Sequence, residues 1–331
     1  MKLIKPSYFD SFRCIAGSCP DSCCKEWDVL VDPDKATYYR NLPGALGDRL
    51  RQVLTEEDGQ TYMLIEDCRC PMWRDDGLCR IQAELGEPAL CKTCREFPRL
   101  THDYGGFVEM GLELSCPEAA RIIFESGYPD YIATEVPGGE EPDYDEEVMA
   151  ILLRSRQEVR RIIMDESRSV GETLAVVLMY GYHVQAEIDG AGAVPFDPSV
   201  ALEEAQHFAR PDDVSAVLDF FKGLEILTDN WNARLDQPNP TSWSSAYRLL
   251  AHYFTDRYWL QAVSDYDLVS RVKLAVISCL VIKALGGDIV LTAQLYSKEI
   301  ENSIDNLEAI LDGAYSAPAF TDDRLLGQLL L

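Results

Sequence analysis

The residues of this chain best equipped for chemistry are its eleven cysteines, at positions 14, 19, 23, 24, 68, 70, 79, 91, 94, 116 and 279. Ten of them precede residue 117 and fall into two groups, Cys14-x4-Cys19-x3-Cys23-Cys24 and Cys68-Arg-Cys70-x8-Cys79-x11-Cys91-x2-Cys94, followed by Cys116. Thiolates three or four residues apart can turn toward one metal, and a distant group can close the shell, as in zinc sites and iron–sulfur clusters. Ten thiols exceed one four-thiolate site, so two sites, or one cluster with further structural or reactive thiols, both fit the arithmetic. Side chains of adjacent residues point apart in most backbones, so one of Cys23 and Cys24 ligates while the other serves a second site or the core. Buried thiols can also pack as plain apolar groups. That reading suits Cys279, within Leu274-Ala-Val-Ile-Ser-Cys-Leu-Val-Ile, and suits ten clustered cysteines poorly. His102, His183, His207 and His252 lie outside the cysteine spacing, so a mixed Cys/His zinc finger is not indicated.

Other chemistries lack their motifs. Cys19-x3-Cys23 is followed at once by Cys24, which breaks the Cys-x3-Cys-x2-Cys spacing of radical enzymes. Gly190-Ala-Gly192 reads as a helix-ending turn rather than a nucleotide loop, and no P-loop, G-x-S-x-G or H-E-x-x-H is present. The 331 residues carry a net charge of −26, which excludes a phosphate-binding surface for nucleic acid and disfavours anionic lipid. Lys5 and Pro6 interrupt the N-terminal apolar residues, and nothing reaches the ~18 apolar residues of a membrane span. A cytoplasmic protein is expected, whose thiols are metal ligands rather than a disulfide frame.

The elements that must position these groups follow from the pattern. Residues 27–32 and 62–65 read as short strands, 34–54 as a helix broken near Pro43-Gly44, and Cys116-Pro117-Glu118 as a helix start. Val136 to Glu147 is an acidic, turn-rich linker or loop, its acids placed to cap the next helix. Beyond it, three- and four-residue spacing of apolar residues marks helices over 148–163, 174–188, 214–227, 245–263, 268–285 and 289–311. The expected fold is mainly α: a cysteine-rich N-terminal metal module with minor β over 1–135, packed on a helical domain over 148–331, with no Rossmann methyltransferase domain.

Several segments resemble the flagellin lysine-N-methylase family. They are Phe12-Arg-Cys14, Cys19-Pro-Asp-Ser-Cys23-Cys24-Lys-Glu-Trp27, Gly77-Leu-Cys79-Arg-Ile-Gln82, Thr93-Cys94-Arg-Glu-Phe-Pro-Arg99 and Leu114-Ser-Cys116-Pro-Glu-Ala-Ala-Arg121. Tyr253-Phe-Thr-Asp-Arg257-Tyr258, Asp267-Leu-Val-Ser-Arg271 and the run from Ser297 to Asn306 are similar to its C-terminal half. The cysteine pattern is also similar to that of zinc- or iron-chelating cysteine-cluster proteins. The resemblance implies methyl transfer from S-adenosylmethionine to lysines of flagellin, or of another lysine-bearing protein, by a chain carrying a 4Fe-4S iron–sulfur cluster. It implies as metal ligands Cys14, Cys19, Cys23, Cys24, Cys70, Cys79, Cys94 and Cys116, leaving Cys68 and Cys91 as extras. Asn302 stands where family members often have histidine, so a role for that histidine does not transfer.

Read as a helix, Glu299, Ser303 and Asn306 form a polar stripe at i, i+4 and i+7, and Tyr253 and Arg257 are i and i+4 on their own helix. Lysine methylation needs a neutral amine, and Glu299, Glu301 or Tyr253 can take or orient its proton. Arg257 can hold the cofactor's carboxylate, with Ser303 and Asn306 as further cofactor contacts, or can form an ordinary interhelical ion pair with Glu299 or Glu301. The competing classes are a non-catalytic protein that binds or handles zinc and an iron–sulfur electron carrier.

Overall fold

The computed structural model describes residues 1–21, 23, 29–57, 59–64, 69–139 and 141–331. Cys24, Cys68 and Trp27 lie outside the described residues. The chain is mainly helical, with 59% helix and 11% strand, so the expected α class holds.

Among the described residues, seven short strands form two sheets: β1 (Lys2–Pro6), β2 (Val29–Val31), β3 (Leu54–Glu57), β4 (Gln60–Met63), β5 (Arg99–Asp103), β6 (Phe107–Leu112) and β7 (Tyr131–Glu135). The larger sheet has the order β5-β6-β1-β7. Its β1–β6 pair is parallel and its other pairs are antiparallel, so these strands do not build a doubly wound nucleotide fold. Gly105, at φ 72, turns the β5–β6 hairpin, and the Asp103 carboxylate accepts from its N–H at 2.8 Å. The smaller sheet, β2-β4-β3, is antiparallel.

The smaller sheet is joined by α1 (Pro33–Asn41), α2 (Gly44–Val53), α3 (Arg80–Leu85) and α4 (Lys92–Glu96) in a compact core of its own. Asp32 caps α1 by accepting from Lys35 N at 3.1 Å, and Pro33 fills the first helical position, where no N–H partner is needed. The same carboxylate accepts from Lys92 N at 2.7 Å, tying α4 to the start of α1. Tyr39 is fully buried, and its hydroxyl donates to Ala89 O at 2.7 Å.

The large core belongs to α5 (Pro117–Ser126), α6 (Glu146–Met164), α7 (Val170–Ala186), α8 (Pro198–Phe208), α9 (Ser215–Lys222), α10 (Asp229–Asp236), α11 (Ala246–Tyr258), α12 (Val269–Leu285), α13 (Ile289–Ile300), α14 (Ile304–Ser316) and α15 (Asp322–Leu330). Phe9, Phe12, Leu112 and Leu114 from the N-terminal third join it. Asp145 accepts from the N–H groups of Glu147 and Val148 and so caps α6, as its acidic surroundings suggest. The central rod is α12, in which every residue except Lys283 is buried, Cys279 included. Its only buried ammonium, Lys273, donates to the carbonyls of Ala314 and Phe320 at 2.9 and 3.0 Å and pairs with Asp322 at 2.9 Å. Among the described residues no helix is long and apolar enough to cross a membrane.

The apolar run expected to be one helix over 289–311 is two. Ser303 ends the first by capping the second, its hydroxyl accepting from Asn306 N at 3.3 Å. The break leaves Glu301 at the C-terminal cap of α13, turned inward with its side chain only 1% exposed.

Close approach of α7 to α12 depends on Gly181, where an added Cβ would sit 2.8 Å from a Val272 methyl. Gly181→Val is expected to lower unfolding free energy by about 1–3 kcal/mol through overpacking, measured by urea denaturation. No change would mean that the two helices can part without cost.

Candidate active site

One cleft lies between the larger sheet and helices α6 and α11, with the end of α5 closing one side. It encloses about 70 Å³, and its walls are unusually rich in buried charge. From α11 come Leu249, His252, Tyr253, Asp256 and Arg257, spaced at i, i+3, i+4, i+7 and i+8, the spacing of one helix face. Arg156 and Arg160 come from α6 one turn apart, and His102 and Glu109 are register partners on β5 and β6.

Most of these charges are matched across the cleft. Arg156 binds Glu109 through two guanidinium nitrogens, at 2.8 and 2.5 Å. Arg160 Nε donates to Asp256 Oδ1 at 2.6 Å, while its guanidinium lies 4.0 Å from the centre of the Tyr131 ring. His252 Nδ1 is 3.4 Å from the other Asp256 oxygen. Burial, with the charges of Arg160 and Arg156, pulls His252 down to about 3, so its imidazole is neutral. Burial, with the like charge of Glu109, pushes Asp256 well above the ordinary carboxylate range. Arg160 itself falls to about 9 through burial and the charge of Arg156.

Arg257 connects the cleft to a second, deeper cluster. Its Nε lies 2.5 Å from Glu301 Oε1 and 3.0 Å from the Tyr258 hydroxyl. Tyr258 donates to the same Glu301 oxygen at 2.7 Å, and Ser297 and Tyr253 donate to the other at 2.5 and 3.2 Å. Burial opposes the Arg257 charge, but Glu301 and the two tyrosines outweigh it and hold the guanidinium charged. Burial and the Glu301 charge hold Tyr253 as a neutral phenol, a hydrogen-bond donor rather than a base. Its oxygen also accepts from Leu114 N at 3.3 Å, which joins the cluster to the end of the cysteine-rich segment.

Arg257 Nη1 and His102 Nε2 are buried and have no partner among the described residues. A buried polar atom left unmatched costs about 1–3 kcal/mol, so a group or water that enters the cleft gains by meeting these two.

The structure thus brings together Tyr253, Arg257 and Glu301 of the residues singled out in the sequence. Glu299, Ser303 and Asn306 turn instead to the chain around Glu225. Glu299 Oε2 accepts from Leu227 N at 2.8 Å, Ser303 donates to the Glu225 carboxylate at 3.1 Å, and Asn306 exchanges hydrogen bonds with the Glu225 backbone at 2.9 Å. The sequence reasoning missed His102, Glu109, Arg156, Arg160, His252 and Asp256. The i, i+4 pairs Arg156/Arg160 and His252/Asp256 on helical segments were the signal available.

The described cysteines before residue 117 fall into two sets. Cys14, Cys19 and Cys116 are near enough to act on one another electrostatically, and burial pushes Cys116 up to about 11. This set docks against α13: Lys298 pairs with Asp21 at 3.0 Å, and Gln294 donates to Asp21 and to Ser115 O at 3.1 and 2.7 Å. Cys23 is exposed beside it in sequence. Cys70, Cys79, Cys91 and Cys94 belong to the small core. There the Cys94 thiol hydrogen-bonds the Cys91 sulfur and lowers its pKa, and both lie with Cys79 near Tyr39. The all-thiol donor set suits zinc or iron, yet among the described residues no three metal-binding side chains surround a common point.

No protein-family model matches the chain, and no solved structure matches it. Curated relatives do. The chain is 32% identical over 136 residues to the flagellar biosynthetic protein FliU of Salmonella muenchen, covering 39% of this chain and 79% of that protein. The chain belongs to the flagellin lysine-N-methylase family. Two family members named lysine-N-methylase, from Salmonella typhimurium and Salmonella choleraesuis, are each 31% identical over 136 residues. That match covers 39% of this chain and 33% of those longer family members.

Two consequences are open to measurement. Glu301→Gln leaves the Arg257 charge buried without its counter-charge and is expected to cost about 3–5 kcal/mol in urea unfolding at neutral pH. A cost below about 1 kcal/mol would show that the pair does not hold α11 to α13. His252 has a folded-state pKa of about 3 against an ordinary 6.5. The unfolded chain therefore binds a proton that the folded chain excludes between these values, and stability, full above pH 6.5, falls as pH drops through that window. His252→Gln should flatten the stability–pH profile there by up to about 1.4 kcal/mol per pH unit; an unchanged slope would assign the acid sensitivity to other groups.

Proposed function

We propose that this chain is a protein-lysine N-methyltransferase that uses S-adenosylmethionine, with flagellin as its substrate and the cleft at Arg257, whose volume of about 70 Å³ suits the amino-acid end of that donor, as part of its reaction site. The observation that carries the reading is the cluster of Arg257, Glu301 and Tyr253 at a cleft of a chain belonging to the flagellin lysine-N-methylase family. When bound, S-adenosylmethionine would supply the methyl group of its sulfonium, the S–CH3 bond breaking to leave a thioether as the lone pair of a neutral lysine nitrogen forms the new N–C bond.

The residues divide this work. Glu301 keeps Arg257 charged and aimed, so that the guanidinium can hold an anionic group of the methyl donor. Tyr253 and Tyr258, both donating to Glu301, fix its carboxylate and so the arginine. With Tyr253 protonated and Glu301 fully engaged, the Asp256 carboxylate, paired with Arg160 in the cleft wall, is the group placed to receive the lysine proton. The acidic chain also attracts a lysine-bearing partner, its net charge being −26. Glu299, Ser303 and Asn306 act through the fold, by holding the chain at Glu225 against the α13–α14 turn.

The cysteine segment is a metal-holding element in this proposal, an iron–sulfur cluster being the species its thiols suit. No step of the transfer is routed through it. Its docking on α13 through Asp21 and Lys298 makes it a support of the turn that presents Glu301.

The test is transfer of a labelled methyl group from S-adenosylmethionine to flagellin, read by mass spectrometry on lysine peptides, with chain purified anaerobically and assayed for iron, sulfide and zinc. Arg257→Lys, which keeps the charge and loses the planar fork, should lower transfer at least about tenfold in a folded protein. About four irons and four sulfides per chain are expected. Unmodified flagellin with the folded wild-type chain would overturn the substrate, and stoichiometric zinc without sulfide would overturn the cluster.

A further inference from the structure

The two unmatched nitrogens of the cleft come from opposite walls. Arg257 stands on α11 and spends Nε on Glu301 and Tyr258, which leaves Nη1 buried and without a partner among the described residues. His102 stands on β5, and its Nε2 is likewise buried and unmatched. Both residues line the cleft, and the His102 ring lies near enough to feel the Arg257 charge. The other charged side chains there are already matched, Arg156 with Glu109 and Arg160 with Asp256.

The chemistry of the two atoms selects the missing group. A guanidinium N–H can only donate, and a neutral imidazole can present an N–H at Nε2. With the imidazole in its Nε2–H tautomer, a group that satisfies both carries at least two acceptor positions close together. The charge of Arg257 is already balanced by Glu301, so the site offers hydrogen bonds more than net positive charge. That balance fits a singly charged carboxylate and disfavours a phosphate, which brings nearly two charges.

We infer that Arg257 and His102 form a two-walled receptor for a carboxylate, and that in the working enzyme this is the carboxylate at the amino-acid end of the methyl donor. The identity of that ligand rests on the methyltransferase reading; the receptor's preference for a carboxylate does not. Sited there, the pair anchors one end of the donor between sheet and helix, beside Asp256 and His252.

Two measurements separate the inference from the reading beneath it. In the first, sodium acetate is titrated into chain labelled with ¹⁵N-histidine. The His102 imidazole resonance, identified by its loss in His102→Gln, should move and saturate. In the second, dissociation constants are measured by calorimetry for S-adenosylmethionine and for its decarboxylated form. Wild type should favour the carboxylated compound at least tenfold. His102→Ala should cut that preference several-fold, and His102→Gln, which restores a donor, should keep most of it. An unmoved His102 resonance together with equal affinities overturns the receptor and leaves methyl transfer standing. A saturating acetate shift with no binding of either adenosyl compound keeps the receptor and overturns the methyl-donor reading.

Discussion

A carboxylate and a guanidinium buried together, Glu301 and Arg257, set the constraint around which the middle of this protein is organised. Taking two such charges out of water costs several kcal/mol per ion, recovered only when the remaining lone pairs and N–H groups find partners. Glu301 meets that demand with Tyr253, Tyr258 and Ser297 on its two oxygens. These partners come from two helices, so the requirement to satisfy one carboxylate fixes α11 against α13. It also explains the helix break: with Ser303 capping α14, the chain turns just where Glu301 must point inward. Asn306 reinforces the turn by donating to Glu299 O at 2.9 Å.

The same pair links parts of the molecule that are far apart in sequence. Tyr253 reaches Leu114 N, one residue from the Ser115 carbonyl that Gln294 holds and two from Cys116. Asp21, in the first cysteine group, is gripped by Lys298 and Gln294 of α13. The first thiol set and the Glu301 turn therefore share one helix as their common support. The second set, around Cys91 and Cys94, sits in the small core beneath α1, with its own packing around Tyr39. Structural change in the first set would be felt at the cleft through α13, whereas the second is placed to stabilise its own core.

The helical half was legible because long runs of apolar residues at three- and four-residue spacing announce themselves, as in α6, α7 and α12. The larger sheet was not. Its strands are short, β1 carries Lys2, Lys5 and Pro6, and its partners lie about a hundred residues away, which local pattern cannot reveal. Arg257, Tyr253 and Glu301 were singled out together with Glu299, Ser303 and Asn306 through family likeness and helical spacing, and the structure brings only the first three side by side. The stripe of Glu299, Ser303 and Asn306 assumed one continuous helix, and the cap at Ser303 divides it between two. His102 was invisible as a site residue because its role depends on β5 lying across the cleft from α11, a long-range fact with no local signature. Cys91, set aside as an extra by family likeness, is fully packed against Cys94.

The central claim is that the cleft between the larger sheet and α11 is where the amino-acid end of the methyl donor binds. Its most direct test is a crystal structure of the chain with S-adenosylhomocysteine, the donor stripped of its methyl group. The account predicts density in that cleft, with the amino-acid end at Arg257. Density for the ligand seated instead among the cysteines of the small core, with the cleft unchanged, would contradict it.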